Sequence, residues 1–213
     1  MNTVEQEPAA ARLVTAGIVL CGGQSRRMGQ AKASLRFGDE SMLERVVRIV
    51  AAEVDRVVVV AAVDQELPAI SPPFELVYDR TAGRGPLEGI RVGLSACGEW
   101  ADAAFVTSCD VPLLRGALIR ELLIRLGDHD LVIPRDDRFA HPLTAIYRPR
   151  VGPVIDRLLD QDRSAPVSLF DEVKTRFVET KELRAVDPDL HSFWNVNTPE
   201  DYEAALRAPS ADG

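Results

Sequence analysis

The sequence predicts a single α/β domain with a mostly parallel sheet and helices on both faces. Short apolar runs alternate with amphipathic segments along most of the chain, the pattern of strands joined by crossover helices. A length of 213 residues buries one full core, and no linker divides it. Segments rich in glycine, proline or carboxylate follow several of the apolar runs, and such sheets bind ligands beyond the carboxyl ends of their strands.

In order, residues 1–13 lack strand pattern and read as a frayed terminus, as do 208–213, which leaves 14–207 as the domain. Gly17 to Leu20 is the first apolar run and empties into a glycine-rich loop. Ser41-x-x-Glu44 has the form of a capping box and opens an amphipathic helix to about Val54. R-V-V-V-V-A-A from Arg56 then reads as a buried strand. Phe74 to Asp79 is a strand, Leu87 to Ala96 a short helix, and A-A-F-V-T-S-C-D from Ala103 an apolar run ending in a carboxylate. A helix over Leu113 to Leu126 follows, then strands at Asp130 to Pro134 and Pro142 to Arg148. A helix near Val151 to Leu159 and a strand near Arg176 to Thr180 come next. Thr198-Pro199-Glu200-Asp201 combines an N-cap, a proline at the first helical position and acids in the first turn, and so opens a closing helix.

A net charge of −8 argues against nucleic acid as a partner, which demands a broad basic surface. No apolar run is long enough to span a bilayer and no signal peptide opens the chain, so a cytoplasmic location is expected. Cys21, Cys97 and Cys109 form no C-x-x-C pair, which indicates neither a disulfide framework nor a zinc site.

The most informative segment is Ala16 to Lys32, A-G-I-V-L-C-G-G-Q-S-R-R-M-G-Q-A-K. Gly22, Gly23 and Gly29 allow backbone N–H groups to approach phosphate oxygens, and Arg26, Arg27 and Lys32 supply countercharge. The spacing fails the Walker A pattern, because Gln30 and Ala31 stand between Gly29 and the lysine. It also fails the G-x-G-x-x-G dinucleotide fingerprint, because the cations lie inside the loop. With 22 arginines against 3 lysines, Lys32 is not background composition, and its compact ammonium suits a point contact with one phosphate. A nucleoside triphosphate is the expected ligand, with Arg26, Lys32 and Asp110 as catalytic candidates.

Asp110 follows its apolar run directly before Val111-Pro112, where the proline is expected to hold the chain extended and the carboxylate to face the ligand edge. Mg²⁺ is its natural partner, since that ion takes a few carboxylates together with phosphate oxygens and water. Asp79 ends another strand before the glycine-rich Gly83 to Gly89 stretch, so it is expected to bond base or ribose or to assist the metal, unless the glycines serve a surface turn alone. His141 before Pro142 invites a general-base role, but a phosphate nucleophile is already ionised, so a structural or substrate-contacting role is expected instead. Asn195 and Asn197 share one side of an extended segment and can reach metal or acceptor, with helix capping as the plain alternative. Cys109, beside Asp110, is a poor thiolate, so no covalent intermediate is expected.

With these residues in place, the chain resembles the molybdenum cofactor guanylyltransferases, nucleotidyltransferases with a Rossmann-like fold of the nucleotide-diphospho-sugar transferase type. L-C-G-G-Q-S-R-R-M-G with Lys32, then Asp79, G-P-L-E-G-I, C-D-V-P, H-P-L-T-A-I-Y and N-V-N-T-P-E-D, occur in the family's order and span nearly the whole chain. The resemblance implies transfer of GMP from GTP to the terminal phosphate of molybdopterin with Mg²⁺. It implies GTP binding by Leu20, Cys21, Gly22, Lys32, Asp79 and Asp110, with Asp110 also on the metal, and acceptor-side roles for His141, Asn195 and Asn197; the loop chemistry itself adds Gly23 and Arg27 as nucleotide contacts. GTP and molybdopterin are then the substrates, no nucleic acid or membrane takes part, and the chain is a monomer or weak oligomer in passing contact with other cofactor-assembly proteins or acceptor apoenzymes. The family often carries a nucleotide-binding Asn after its second strand, where Val57 to Val63 here holds no amide. Related families that transfer CMP to molybdopterin, or a nucleotide to another small phosphate, share the loop; a nucleotide binder without turnover is the remaining alternative.

Overall fold

The computed structural model describes residues 12–22, 32–79 and 84–208. The central sheet contains β1 (Thr15–Leu20), β4 (Arg56–Ala61), β5 (Glu75–Tyr78), β6 (Ala103–Ser108), β7 (Leu131–Arg135), β8 (Thr144–Tyr147) and β9 (Thr175–Glu179). They lie in the order β5-β4-β1-β6-β8-β7-β9. Every neighbouring pair is parallel except those made by β8, which runs antiparallel to β6 and β7. β2 (Arg36–Phe37) and β3 (Glu40–Ser41) form a separate antiparallel hairpin.

β1 and β6 are buried at every residue, which is why both read as continuous apolar runs rather than alternating ones. Helices α1 (Met42–Ala51) and α3 (Gly116–Ile124) cover one face, packing with Val19, Val57, Val59 and Phe105. Helices α2 (Pro86–Cys97) and α4 (Gly152–Asp160) cover the other, against Ile18, Val58, Val60 and Val106. Gly93 lets α2 lie almost on β1: a Cβ there would stand 2.5 Å from Ile18 Cγ2. The closing helix α5 (Pro199–Arg207) joins the hairpin through a smaller cluster of Phe37, Met42, Leu113, Val196 and Ala205. Among the described residues no helix is long and apolar enough to cross a membrane.

The expected elements form, with four local differences. α1 stops at Ala51, short of Val54. Half of its capping box is made: Ser41 Oγ accepts the Glu44 N–H at 3.1 Å, while the Glu44 carboxylate takes the Ser71 hydroxyl at 2.9 Å. α3 begins at Gly116 rather than Leu113, because Leu113 and Leu114 are buried in the turn that carries Pro112 before the chain reaches Arg115, the extended N-cap. The chain after β6 turns at Cys109-Asp110 instead of continuing extended, with Cys109 N–H still held by the Leu20 carbonyl at 2.9 Å.

Candidate functional site

A cleft of about 360 Å³ opens at the carboxyl edge of the sheet. Leu20 and Gly22 line it from β1, Val60 from β4, and Asp79 from just past β5. Gly85, Pro86 and Gly89 come from the start of α2, Ser108 and Asp110 from the end of β6, Leu143 from the approach to β8 and Asn195 from the approach to α5. All three segments that the sequence places at strand exits therefore meet in one cavity. Gly85, at φ +82°, is the N-cap of α2 and makes no side-chain cap, and with Pro86 and Gly89 it brings the start of that helix to the cleft.

One end of the cleft is built around Asp110. The Ser108 hydroxyl donates to Asp110 Oδ1 at 2.5 Å, and Lys32 Nζ donates to Asp110 Oδ2 at 2.8 Å. The same ammonium donates to Asn197 Oδ1 at 2.8 Å, tying the segment before α5 to the loop after β1. The Lys32 and Asp110 side chains are only 17% and 15% exposed, so salt screens this pair less than a surface bridge. Val196 N–H donates to the Asp110 carbonyl at 2.8 Å, and its side chain is fully buried. Asn195 lines the cleft and Asn197 meets Lys32, as the alternation of an extended segment requires. Asp201 secures that segment by accepting the N–H groups of Asn197 and Thr198 at 3.0 and 2.9 Å.

The other end is walled by Leu20, Val60 and Pro86 and carries Asp79. Asp79 Oδ1 is buried without a hydrogen-bond partner among the described residues. Burial first, and then the neighbouring Glu88 carboxylate, push its carboxyl above the usual range. Its other oxygen would lie 2.8 Å from a Cβ on Gly22, so a side chain at Gly22 would displace it. Gln65, which the sequence reading passed over, sits behind this end: its amide donates to the Cys21 carbonyl at 3.0 Å and accepts the Ala62 N–H at 3.1 Å. A polar amide just past a buried strand was the available signal.

His141 is not among the residues lining the cleft. Its Nε2 meets Asp136 Oδ2 at 3.1 Å and its ring packs on Phe193 at 4.6 Å between centroids. Gly23, Arg26, Arg27 and Gly29 lie outside the described residues. Cys21 and Cys109 are buried; burial pushes the Cys21 thiol up to about 12 and Cys109 well above the ordinary thiol value, with Asp79 and Asp110 adding to the respective shifts. Neither is a nucleophile at neutral pH.

Among the described residues no cluster of three or more His, Cys, Asp or Glu side chains could enclose a metal by itself. A magnesium ion does not need one, because it takes one or two carboxylates and completes its shell with phosphate oxygens and water. Asp110, in the same cleft as the orphaned oxygen of Asp79, fits that donor set.

A mostly parallel α/β sheet whose cleft holds an acidic strand exit and a helix start, with a lysine bonded to that acid, is the layout of a nucleotidyl transferase. The family comparison agrees: residues 17–175 match the MobA-like NTP transferase domain, and the chain belongs to that family. A molybdenum cofactor guanylyltransferase of Desulfosudis oleivorans is 38% identical over 92% of this chain and 96% of its own length. Among solved structures, molybdopterin-guanine dinucleotide biosynthesis protein A from Archaeoglobus fulgidus superposes with a TM-score of 0.73 at 23% identity, over 90% of this chain and 96% of that one. The 4-diphosphocytidyl-2C-methyl-D-erythritol synthase of Anaerococcus prevotii gives 0.65 at 16%, over 91% and 97%. At those identities the two structures speak for the fold alone.

Proposed function

We propose that the protein transfers GMP from GTP to the terminal phosphate of molybdopterin, releasing pyrophosphate and forming a guanine dinucleotide cofactor. The carrying observation is the Lys32 ammonium, held at 2.8 Å by Asn197 and by Asp110, the carboxylate that lines the cleft. A cation and a carboxylate so paired are the two charges that a triphosphate and its Mg²⁺ take up. The near full-length relation to the Desulfosudis enzyme supports guanosine and molybdopterin as the particular substrates.

In this reading the base and ribose occupy the Leu20, Val60 and Asp79 end, and the phosphates run past Gly22 toward Lys32 and Asp110. Mg²⁺, when bound, neutralises charge on the phosphates. Asp110 would hold it, with the Ser108 hydroxyl fixing the carboxylate's orientation. Lys32 contacts a phosphate oxygen, and Arg26 and Arg27 add countercharge along the loop. An oxygen of the acceptor phosphate attacks the α-phosphorus, the bond to the bridging oxygen of the β-phosphate breaks, and pyrophosphate carries away the electron pair. The attacking phosphate is ionised at neutral pH, so no base is required. Asn195 and Asn197 flank the acceptor side, while His141, braced by Asp136 and Phe193, shapes the rim. Buried, unpaired thiols fit a reducing cytoplasm.

Pyrophosphate release with Mg²⁺ and molybdopterin, compared across GTP, CTP, ATP and UTP, tests this. Release with GTP alone is expected, and Asp110→Asn should lower kcat by roughly a hundredfold or more with a smaller change in nucleotide affinity. Preference for CTP would move the enzyme to the cytidylyl branch, and absence of release with every nucleotide would overturn the reading.

A further inference from the structure

The geometry points to Gln65 as a positioning residue that aims the first backbone donor of the nucleotide loop into the cleft; this rests on the nucleotide reading above. β4 ends at Ala61, and the chain reverses in a turn whose Gln65 N–H donates to the Ala62 carbonyl at 3.1 Å, with Asp64 at φ +65°. The Gln65 side chain uses both ends of its amide. Its oxygen closes the turn on Ala62 N–H, and its NH₂ reaches across to the Cys21 carbonyl, one residue beyond β1. A residue outside the sheet thus ties the exits of two adjacent strands.

The consequence lies in the next peptide unit. Cys21 N–H already points toward β4, bonded to the Val60 carbonyl at 2.8 Å, and Gln65 holds the Cys21 carbonyl toward that same side. No described peptide is cis, and in a trans unit the N–H lies opposite the C=O. The Gly22 N–H is therefore turned away from β4, to the side of β6, where Ser108 and Asp110 line the cleft. No described residue accepts it. Gln65 sets this donor before any ligand arrives, which lowers the ordering that binding must otherwise impose. The group such a donor suits, between the Asp79 and Asp110 ends of the cleft, is an anionic phosphate oxygen of the nucleotide.

Two substitutions separate positioning from folding. Gln65→Glu keeps an acceptor for Ala62 N–H but sets a carboxylate oxygen against the Cys21 carbonyl, while Gln65→Met keeps the length and removes both bonds. Calorimetric titration of each full-length variant with GTP and with guanosine, beside thermal melts, supplies the readout. Both variants should bind GTP roughly tenfold more weakly, the value of a hydrogen bond to a charged group, and guanosine about as wild type does. KM for GTP should rise more than kcat falls. Wild-type affinity for GTP in both variants overturns the assignment and leaves the nucleotide reading intact. Equal losses for guanosine and GTP, or losses that track the melting temperature, also overturn it and make Gln65 a structural tie only. If wild type binds neither ligand, the nucleotide reading falls and takes this assignment with it.

Discussion

The surroundings of Asp79 disfavour its charged form. One oxygen is buried without a partner, and Glu88 is close enough to raise its proton affinity. A carboxyl whose folded-state pKa lies above its unfolded value weakens the fold at high pH. The penalty is absent below the unfolded value, grows as pH rises through the window up to the raised folded value, and is complete above it. Asp79→Asn should therefore raise the melting temperature of the free protein at neutral pH, and the gain should shrink as pH falls toward the ordinary carboxylate range. The same variant should bind nucleotide less well, because the orphaned oxygen is then no longer an anion seeking a donor or a cation. A melting temperature that is unchanged at neutral pH would show that Asp79 carries no strain. At this scale the sequence is a good guide to identity and a poor one to direction. Asp79 and Asp110 line the cleft from just past β5 and β6, and Asn195 lines it from the segment before α5. His141 was equally visible, yet its ring turns to Asp136 and Phe193, and no pattern of residue types fixes which way one side chain points.

At the scale of elements, the start of α5 links capping to the site. Thr198 Oγ1 accepts Asp201 N–H at 3.1 Å, and the Asp201 carboxylate returns to the N–H groups of Thr198 and Asn197. The cap that starts the helix thereby holds the amide that steers Lys32. Thr198→Ala should cost about 1 kcal/mol, a fall of roughly 2–4 °C in melting temperature, as for other lost N-caps. It should also lower kcat/KM several-fold, because Asn197 loses part of its anchorage. A melting shift with turnover unchanged would separate the cap from the site. The N-cap and first-turn acids here were readable because their chemistry is local, spanning four consecutive residues, while the reciprocal bond from Asp201 emerges in the fold. The β2–β3 hairpin was not readable, since its strands are two residues long and show no period. Gln65 escaped notice for a third reason: its partner Cys21 lies across the sheet, and only the pairing of β1 with β4 brings the two together.

For the whole molecule, apolar continuity revealed the layers, because strands covered on both faces have no polar side to show. Strand direction left no such trace: β8 reads like its parallel neighbours and runs the other way. The same layering encloses the thiols. Cys21, Cys97 and Cys109 are all buried, with the first two pushed up to about 12 and the third well above its ordinary value, chiefly by burial. Iodoacetamide should leave the folded protein unlabelled at neutral pH and modify all three after denaturation; rapid labelling of Cys109 in the folded protein would contradict this enclosure. The reversed strand also divides the work around the cleft. β1, β5 and β6 each leave the sheet there, and their chains go on to helices that lie against its faces. β8 enters the sheet at that edge, so Leu143 stands on a return path anchored by β7 on one side and by its own pairing to β6 on the other. Lengthening an outgoing connection changes the cover of the cleft, whereas lengthening the return between β7 and β8 must bulge outward from two fixed posts. The cleft is thus a vice with one adjustable jaw and one fixed jaw, and new ligand preferences are most readily engineered on the side of the outgoing strands.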